Sequence, residues 1–164
     1  MESSDTNLRE LMDQQAISRV LYSYAAGADR RDWALFRSCF CDEVEVDLSS
    51  WHGGAPERLA LDDWVERVRA GLSGFDATQH LNSNHLIDLD GDAAHATSTI
   101  QASHMLGPER VVLGGWYDTH LLRIDDRWRI ARSQLNITWR EGREELFAEA
   151  AKKRAEAGES TTAT

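Results

Sequence analysis

The sequence predicts an α+β fold, in which N-terminal helices lie on one face of a curved sheet of long antiparallel strands that can close over a pocket. Three observations carry that expectation. Residues 7 to 29 and 61 to 73 bear apolar side chains at i, i+3, i+4 spacing, the signature of amphipathic helices. Residues 78 to 139 read as four long strands divided by turn signals. Helices come first and the strand meander follows, an order that suits α+β architecture rather than alternating βαβ units.

The first helix presents Leu8, Leu11, Met12, Ile17, Val20, Leu21, Tyr24 and Ala28 on one face, with Asp5 or Thr6 as its cap. The segment ADRRDW breaks the pattern. Asp32 then stands where it can cap a short helix carrying Trp33, Phe36 and Phe40. EVEVDL, residues 43 to 48, alternates as a strand does, and WHGGAPER after it reads as a loop. Asp62 and Asp63 open the next helix, where its dipole favours them. The strands span 78 to 89, 93 to 106, 111 to 123 and 127 to 139, with Asp90-Gly91-Asp92 and Asp125-Asp126 at two of the turns. The domain expected from this pattern covers residues 1 to 142. Residues 143 to 164 form a charged helix with a disordered tail, GESTTAT.

Composition narrows the function. A chain of 164 residues suits one domain, and it buries about two-thirds of its unfolded surface. Eighteen basic residues against 28 acidic ones leave a net charge of −10, which disfavours nucleic acid and anionic membranes as partners. There is no transmembrane run, and the polar start MESSDTNLRE lacks the features of a signal peptide, so a cytoplasmic location is expected. Cys39 and Cys41 are one residue apart, too close for an unstrained disulfide and too few for a zinc site. They read as packing residues at a helix end.

Strand alternation proposes a cavity wall. His80, Asn82 and Asn84 share one face, with Leu81, His85 and Ile87 on the other. His104, Ala102, Ile100 and Ser98 share a face of the next strand, and Trp128, Ile130, Gln134, Asn136 and Thr138 are in phase on the last if no bulge intervenes. Mixed apolar and small polar residues suit a pocket better than a solid core. From the residues alone, Asp29 is either a helix-end turn residue or the acceptor that orients His80. His80 is likewise either a satisfied core histidine or a base. His52, His95 and His120 read as loop or solvent-face residues. The spacing of His80 and His85 puts their rings on opposite faces, so they are not expected to share a metal.

Taken together, the pieces resemble a known family. They are Tyr24 and Asp29, Arg31-Asp32-Trp33, Gln79-His80 with Asn84, Asp90-Gly91-Asp92 with Ala94, Gly114-Gly115 with Tyr117, and Arg123 with Trp128-Arg129-Ile130. Their order over residues 8 to 142 resembles the SnoaL-like branch of the nuclear transport factor 2-like superfamily. That resemblance implies a cone-shaped α+β barrel, its curved, mostly antiparallel sheet wrapped around the N-terminal helices, and a homodimer or homotrimer built through the exposed sheet face. Within the superfamily, the scytalone dehydratase and hexachlorocyclohexane dehydrochlorinase group pairs a strand His with a helix-end Asp, at the positions of His80 and Asp29. It implies a second His at His104 and a pocket tyrosine at Tyr24. Asn84, Asn136, Trp51 and Tyr117 are the expected substrate contacts. Ketosteroid isomerase would need an inward strand acid, and the epoxide hydrolase an Asp-Arg-Asp cluster. Arg132 shows no clear strand-borne acid partner in the sequence.

The function so implied is a cofactor-free, metal-free lyase or isomerase, dehydratase-like, acting on a small, largely apolar cyclic substrate through His–Asp proton transfer. Alternatives are a polyketide cyclase closing an aldol ring, a non-catalytic ligand-binding protein, or the small subunit of a ring-hydroxylating dioxygenase.

Overall fold

A computed structural model describes the backbone from Glu2 to Thr162 and the side chains of residues 7 to 157. Helices α1 (Glu2–Arg30) and α2 (Trp33–Ser38) come first, then strand β1 (Phe40–Asp47), the single turn α3 (Ser49–His52), the short strand β2 (Glu57–Ala60) and α4 (Leu61–Leu72). Four long strands follow: β3 (Ala77–Asp90), β4 (Ala93–Leu106), β5 (Glu109–Ile124) and β6 (Arg127–Gly142). Helix α5 (Leu146–Thr162) ends the chain's described part. The sheet order is β2-β1-β6-β5-β4-β3, antiparallel throughout except for the parallel β1–β6 pair. The sheet is mixed and stays open, with β2 and β3 as its edges, and α1 packs against it.

The main core packs the helices against the inner face of the sheet. Ile17 and Leu21 of α1, Phe36 of α2, Phe40 and Val44 of β1 and Trp64 of α4 are all at most 6% exposed. Gly27 allows the α1–α2 contact, because a Cβ there would lie 2.7 Å from the Phe36 backbone nitrogen. Helix α1 closes in a Schellman arrangement: Arg31 sits at φ 58°, and the Asp32 amide reaches back 2.9 Å to the Gly27 carbonyl. The same Asp32 caps α2, accepting from the Leu35 amide at 2.9 Å. Both cysteines are free and buried, and burial pushes the Cys39 thiol up to about 12, which suits a packing residue. Near the middle of α1, Asp13 receives both Arg123 guanidinium nitrogens, at 2.8 and 2.7 Å, and the Trp128 indole N–H at 3.1 Å.

The structure corrects several sequence expectations. Helix α1 begins at Glu2, upstream of Asp5 and Thr6, so neither starts it. Leu8, Leu11 and Met12 are exposed, because the sheet reaches only the later turns of α1. Phe40 opens β1 instead of riding on α2. The loop after β1 folds part of itself into α3 and the edge strand β2.

Bulges on β3 and β6 reset the strand phase. On β3, Asn84 and His85 together stand opposite Ser98, and Asn84 takes φ 53°. His85, Ile87 and Leu89 therefore turn toward the helices. On β6, Ala131 is the extra residue between Ile130 and Arg132, so Leu135 and Ile137 point inward rather than Gln134 and Asn136. The segment set apart as 143 to 164 also docks on the domain. Leu146 and Ala150 are fully buried against Phe75 and Val111. The expected disorder of GESTTAT falls on residues whose side chains lie outside those described.

Candidate active site

Inside the cone lies a cavity of about 260 Å³. Its walls are largely apolar, with Trp51, Trp64, Ile100, Leu113, Leu135 and Ile137 among them. Four polar side chains enter it: His80, His104, Tyr24 and Tyr117. Arg67 and His52 stand at its rim, and Arg67 is held by a two-pronged pair with Glu57 at 2.9 and 3.1 Å.

Asp29 and His80 meet although 51 residues separate them. The last turn of α1 delivers the carboxylate and β3 delivers the imidazole. Asp29 Oδ1 lies 2.6 Å from His80 Nδ1, and its Oδ2 accepts the His80 backbone N–H at 2.7 Å. The Thr78 hydroxyl donates to Oδ1 at 3.0 Å. Thr78 in turn receives Arg31 Nη1 at 3.1 Å, and Arg31 Nη2 donates to the Leu72 carbonyl at 2.8 Å. Burial alone would raise the Asp29 carboxyl. The ring and backbone donors of His80 and the Thr78 hydroxyl outweigh it and hold the group below the usual carboxylate range. An ionised Asp29 can only accept, so the Nδ1 of His80 is the nitrogen that carries a proton and donates to it, an arrangement that in the neutral ring leaves the lone pair on Nε2.

His104 stands beside this pair, its ring 5.5 Å from His80 and packed between Phe75 and Phe147 at 5.1 and 4.9 Å. Only 2% of it is exposed. Burial, helped by His80 and opposed weakly by the Val111 carbonyl, pushes it down to about 3, so it is a neutral imidazole near pH 7. Its Nδ1 is buried without a hydrogen-bond partner among the described residues. Tyr24 and Tyr117 share a hydroxyl–hydroxyl bond of 2.8 Å. Burial first, and each other second, hold Tyr24 well above the ordinary phenol value. In such a pair one hydroxyl donates to the other, which leaves the second proton free for a ligand.

Of the expected substrate contacts, Trp51 and Tyr117 line the cavity. Asn84 does not. The β3 bulge turns it outward, where it is exposed and donates to Thr99 Oγ1 at 3.3 Å. Asn136 is also outside, opposite Trp116, because the β6 bulge reverses its side. His85 lies on the helix side, between Ser18 Oγ at 3.0 Å and Asn82 Oδ1 at 3.2 Å. Arg132 does have strand-borne acid partners, Asp118 at 3.2 Å and Glu45 at 3.1 Å, but on the outer sheet face. Sequence reading missed Thr78, and it named Arg31 only as part of the Arg31-Asp32-Trp33 piece, with no role at the site. Thr78 was within reach, since it sits two residues before His80 on the same strand face.

A SnoaL-like domain model matches residues 9 to 134. The chain is similar in structure to the Kfla4162 protein of Kribbella flavida, at 28% identity and TM-score 0.79, over 85% of this chain and 99% of that one. A scytalone dehydratase-like protein of Novosphingobium aromaticivorans is 25% identical, TM-score 0.71, over 86% and 92% of the two chains. The hexachlorocyclohexane dehydrochlorinase LinA-type3 of Novosphingobium barchaimii shares the fold at 15% identity, TM-score 0.69, over 84% and 94%. Among the described residues, no helix is long and apolar enough to cross a membrane.

Proposed function

This chain belongs to the SnoaL-like domain family, and from that premise we propose a dehydratase-like lyase or isomerase that acts on a small, largely apolar ring compound by proton transfer, without a cofactor. The His80–Asp29 contact of 2.6 Å at the edge of an apolar cavity carries this reading. The dehydratase-like and dehydrochlorinase neighbours support its reaction class.

His80 Nε2 takes a proton from a ring carbon beside an activating group. The freed electron pair forms the new double bond as a hydroxyl leaves the neighbouring carbon. Asp29 steadies the imidazolium and holds its orientation. The imidazolium then gives its proton to the departing oxygen, water leaves, and the site returns to its starting state. In an isomerisation the proton returns to another carbon instead. His104 is neutral, so its part is to hold a substrate oxygen rather than to supply a strong acid. The Tyr24–Tyr117 pair fits the same task with its spare hydroxyl proton. Such positioned acid–base groups contribute roughly 10²- to 10⁴-fold each.

Size narrows the substrate. An apolar cavity of about 150 Å³ takes one benzene ring, so 260 Å³ suits a substituted ring or a fused pair. A long polyketide chain is too large, which places aldol cyclisation second. A purely binding role, or that of an oxygenase small subunit, leaves the helix-end carboxylate and its three donors without a purpose. The family likeness also supports a homodimer or homotrimer as the working state.

The test is a screen of hydroxylated one- and two-ring compounds, with binding read by quenching of Trp51 and Trp64. His80→Ala should keep the fold and ligand binding, lose some thermal stability because Asp29 gives up its ring donor, and lower kcat by about 10³-fold or more. Full turnover by that variant on a confirmed substrate would refute the mechanism.

A further inference from the structure

On the outer face of the sheet, remote from the cavity, two histidines and an aspartate converge. His95 on β4 and His120 on β5 are register partners, so their side chains stand next to each other on one face. Their ring centroids are 5.0 Å apart. Asp118 precedes His120 by two residues and projects from the same face. Its Oδ2 lies 3.1 Å from His95 Nε2, and its Oδ1 lies 3.5 Å from His120 Nε2. One ligand atom from each of the three falls within 4.8 Å of the others.

We propose that His95, Asp118 and His120 bind a divalent transition-metal ion of the Zn²⁺ class, with solvent completing its shell. Tetrahedral zinc, with bonds of about 2.0–2.1 Å, holds its ligand atoms about 3.3 Å apart. The two nitrogen–oxygen contacts run to different oxygens of Asp118, so a small turn of the carboxylate and of the two imidazoles is needed to bring one ligand atom from each, now within 4.8 Å of one another, to that spacing. In the single chain the two imidazoles are 39% and 51% exposed, so an ion can enter before a partner copy covers this sheet face. Imidazole nitrogens select Zn²⁺, Ni²⁺ and Cu²⁺ over Mg²⁺ and Ca²⁺.

The surrounding charge permits a cation. Arg132 donates to Asp118 at 3.2 Å, but it also serves Glu45 at 3.1 Å and Gln134 at 3.0 Å. Arg58 lies against Glu43 and Glu45. Three carboxylates therefore face two guanidiniums, which leaves one negative charge when the histidines are neutral. A bound ion would replace the His95–Asp118 hydrogen bond and clip β4 to β5 without touching the cavity.

The experiment uses the full chain stripped of metal by chelator. Zn²⁺ is added by calorimetry, and Co²⁺ is followed by its visible ligand-field absorption. One equivalent should bind with micromolar affinity, and saturating Zn²⁺ should raise the melting temperature by several degrees. His95→Ala, His120→Ala and Asp118→Asn should each weaken binding at least tenfold, while His80→Ala binds as the parent does. Circular dichroism checks that each variant is folded, and His120→Gln stands in if the alanine variant is not. Absence of Zn²⁺ uptake by the parent, or equal uptake by a folded variant lacking both histidines, overturns the proposal.

Discussion

At Asp29 a carboxylate ends a helix, where the macrodipole disfavours it by about 0.3–1 kcal/mol. Three donors, from Thr78 and from the ring and backbone of His80, more than offset that cost. The placement is thus a local misfit held by its neighbours, and Asp29→Asn tests what it is for. Asparagine keeps the shape, but its amide can no longer present two acceptor oxygens. It therefore fails to enforce the Nδ1–H tautomer of His80. The expected result is a fall in kcat of about 10²- to 10⁴-fold with a much smaller change in KM. Equal losses in binding and turnover would mark a structural role instead. The His80–Asp29 contact was only partly legible in the sequence. Helical spacing puts Asp29 at a helix end and alternation puts His80 on an inner face, but no local pattern fixes a contact across 51 residues.

Between elements, the terminal helix matters more than its charged sequence implies. Two side chains, Leu146 and Ala150, dock α5 against Phe75 and Val111, and Phe147 brings the helix over His104 and Trp51. Leu146→Ala should cost about 3 kcal/mol, within the range for a buried leucine, read as a shift in the urea midpoint. It should also loosen the seal over His104. At the opposite end, Asp13→Ala strands Arg123 and the Trp128 indole N–H. A loss of about 2 kcal/mol is expected, since Asp92 still holds Arg123 at 2.9 Å. The long strands and their turns were readable because alternation and Asp-Gly turns are local. The bulges were not read, and Asn84 and Asn136 were misplaced as a result. Their trace exists: on β6, apolar residues are even-numbered at Trp128 and Ile130 and odd-numbered at Leu135 and Ile137. A parity switch within one strand needs an extra residue between.

For the whole molecule, acid is the informative perturbation, because two opposing effects can be told apart. Asp13 is held low by Arg123, and Asp29 is held low by His80 and Thr78 in spite of its burial. Carboxyls with depressed values stabilise the fold above their unfolded range, and that contribution is lost as pH falls through the folded values. His104 acts in the same direction for a different reason. It stays neutral in the fold down to about 3, whereas the unfolded chain takes up that proton near the ordinary imidazole value of about 6.5. Between those values the unfolded state binds the extra proton, so stability falls as pH falls, by up to about 1.4 kcal/mol per unit. His85, lowered by burial, adds to this. Net charge works against it: the chain carries −10 at pH 7, and acidification toward its pI of about 5.0 relieves self-repulsion. Salt separates the two, since it screens surface repulsion and leaves a buried imidazole nearly untouched. In 0.5 M NaCl, urea-derived stability should decline steadily from pH 6.5 to 4.5. His104→Phe, which keeps the contacts with Phe75 and Phe147, should flatten most of that decline and leave the carboxylate-driven loss below about pH 4. A decline of unchanged slope in that variant would show that His104 is not the buried group that sets it.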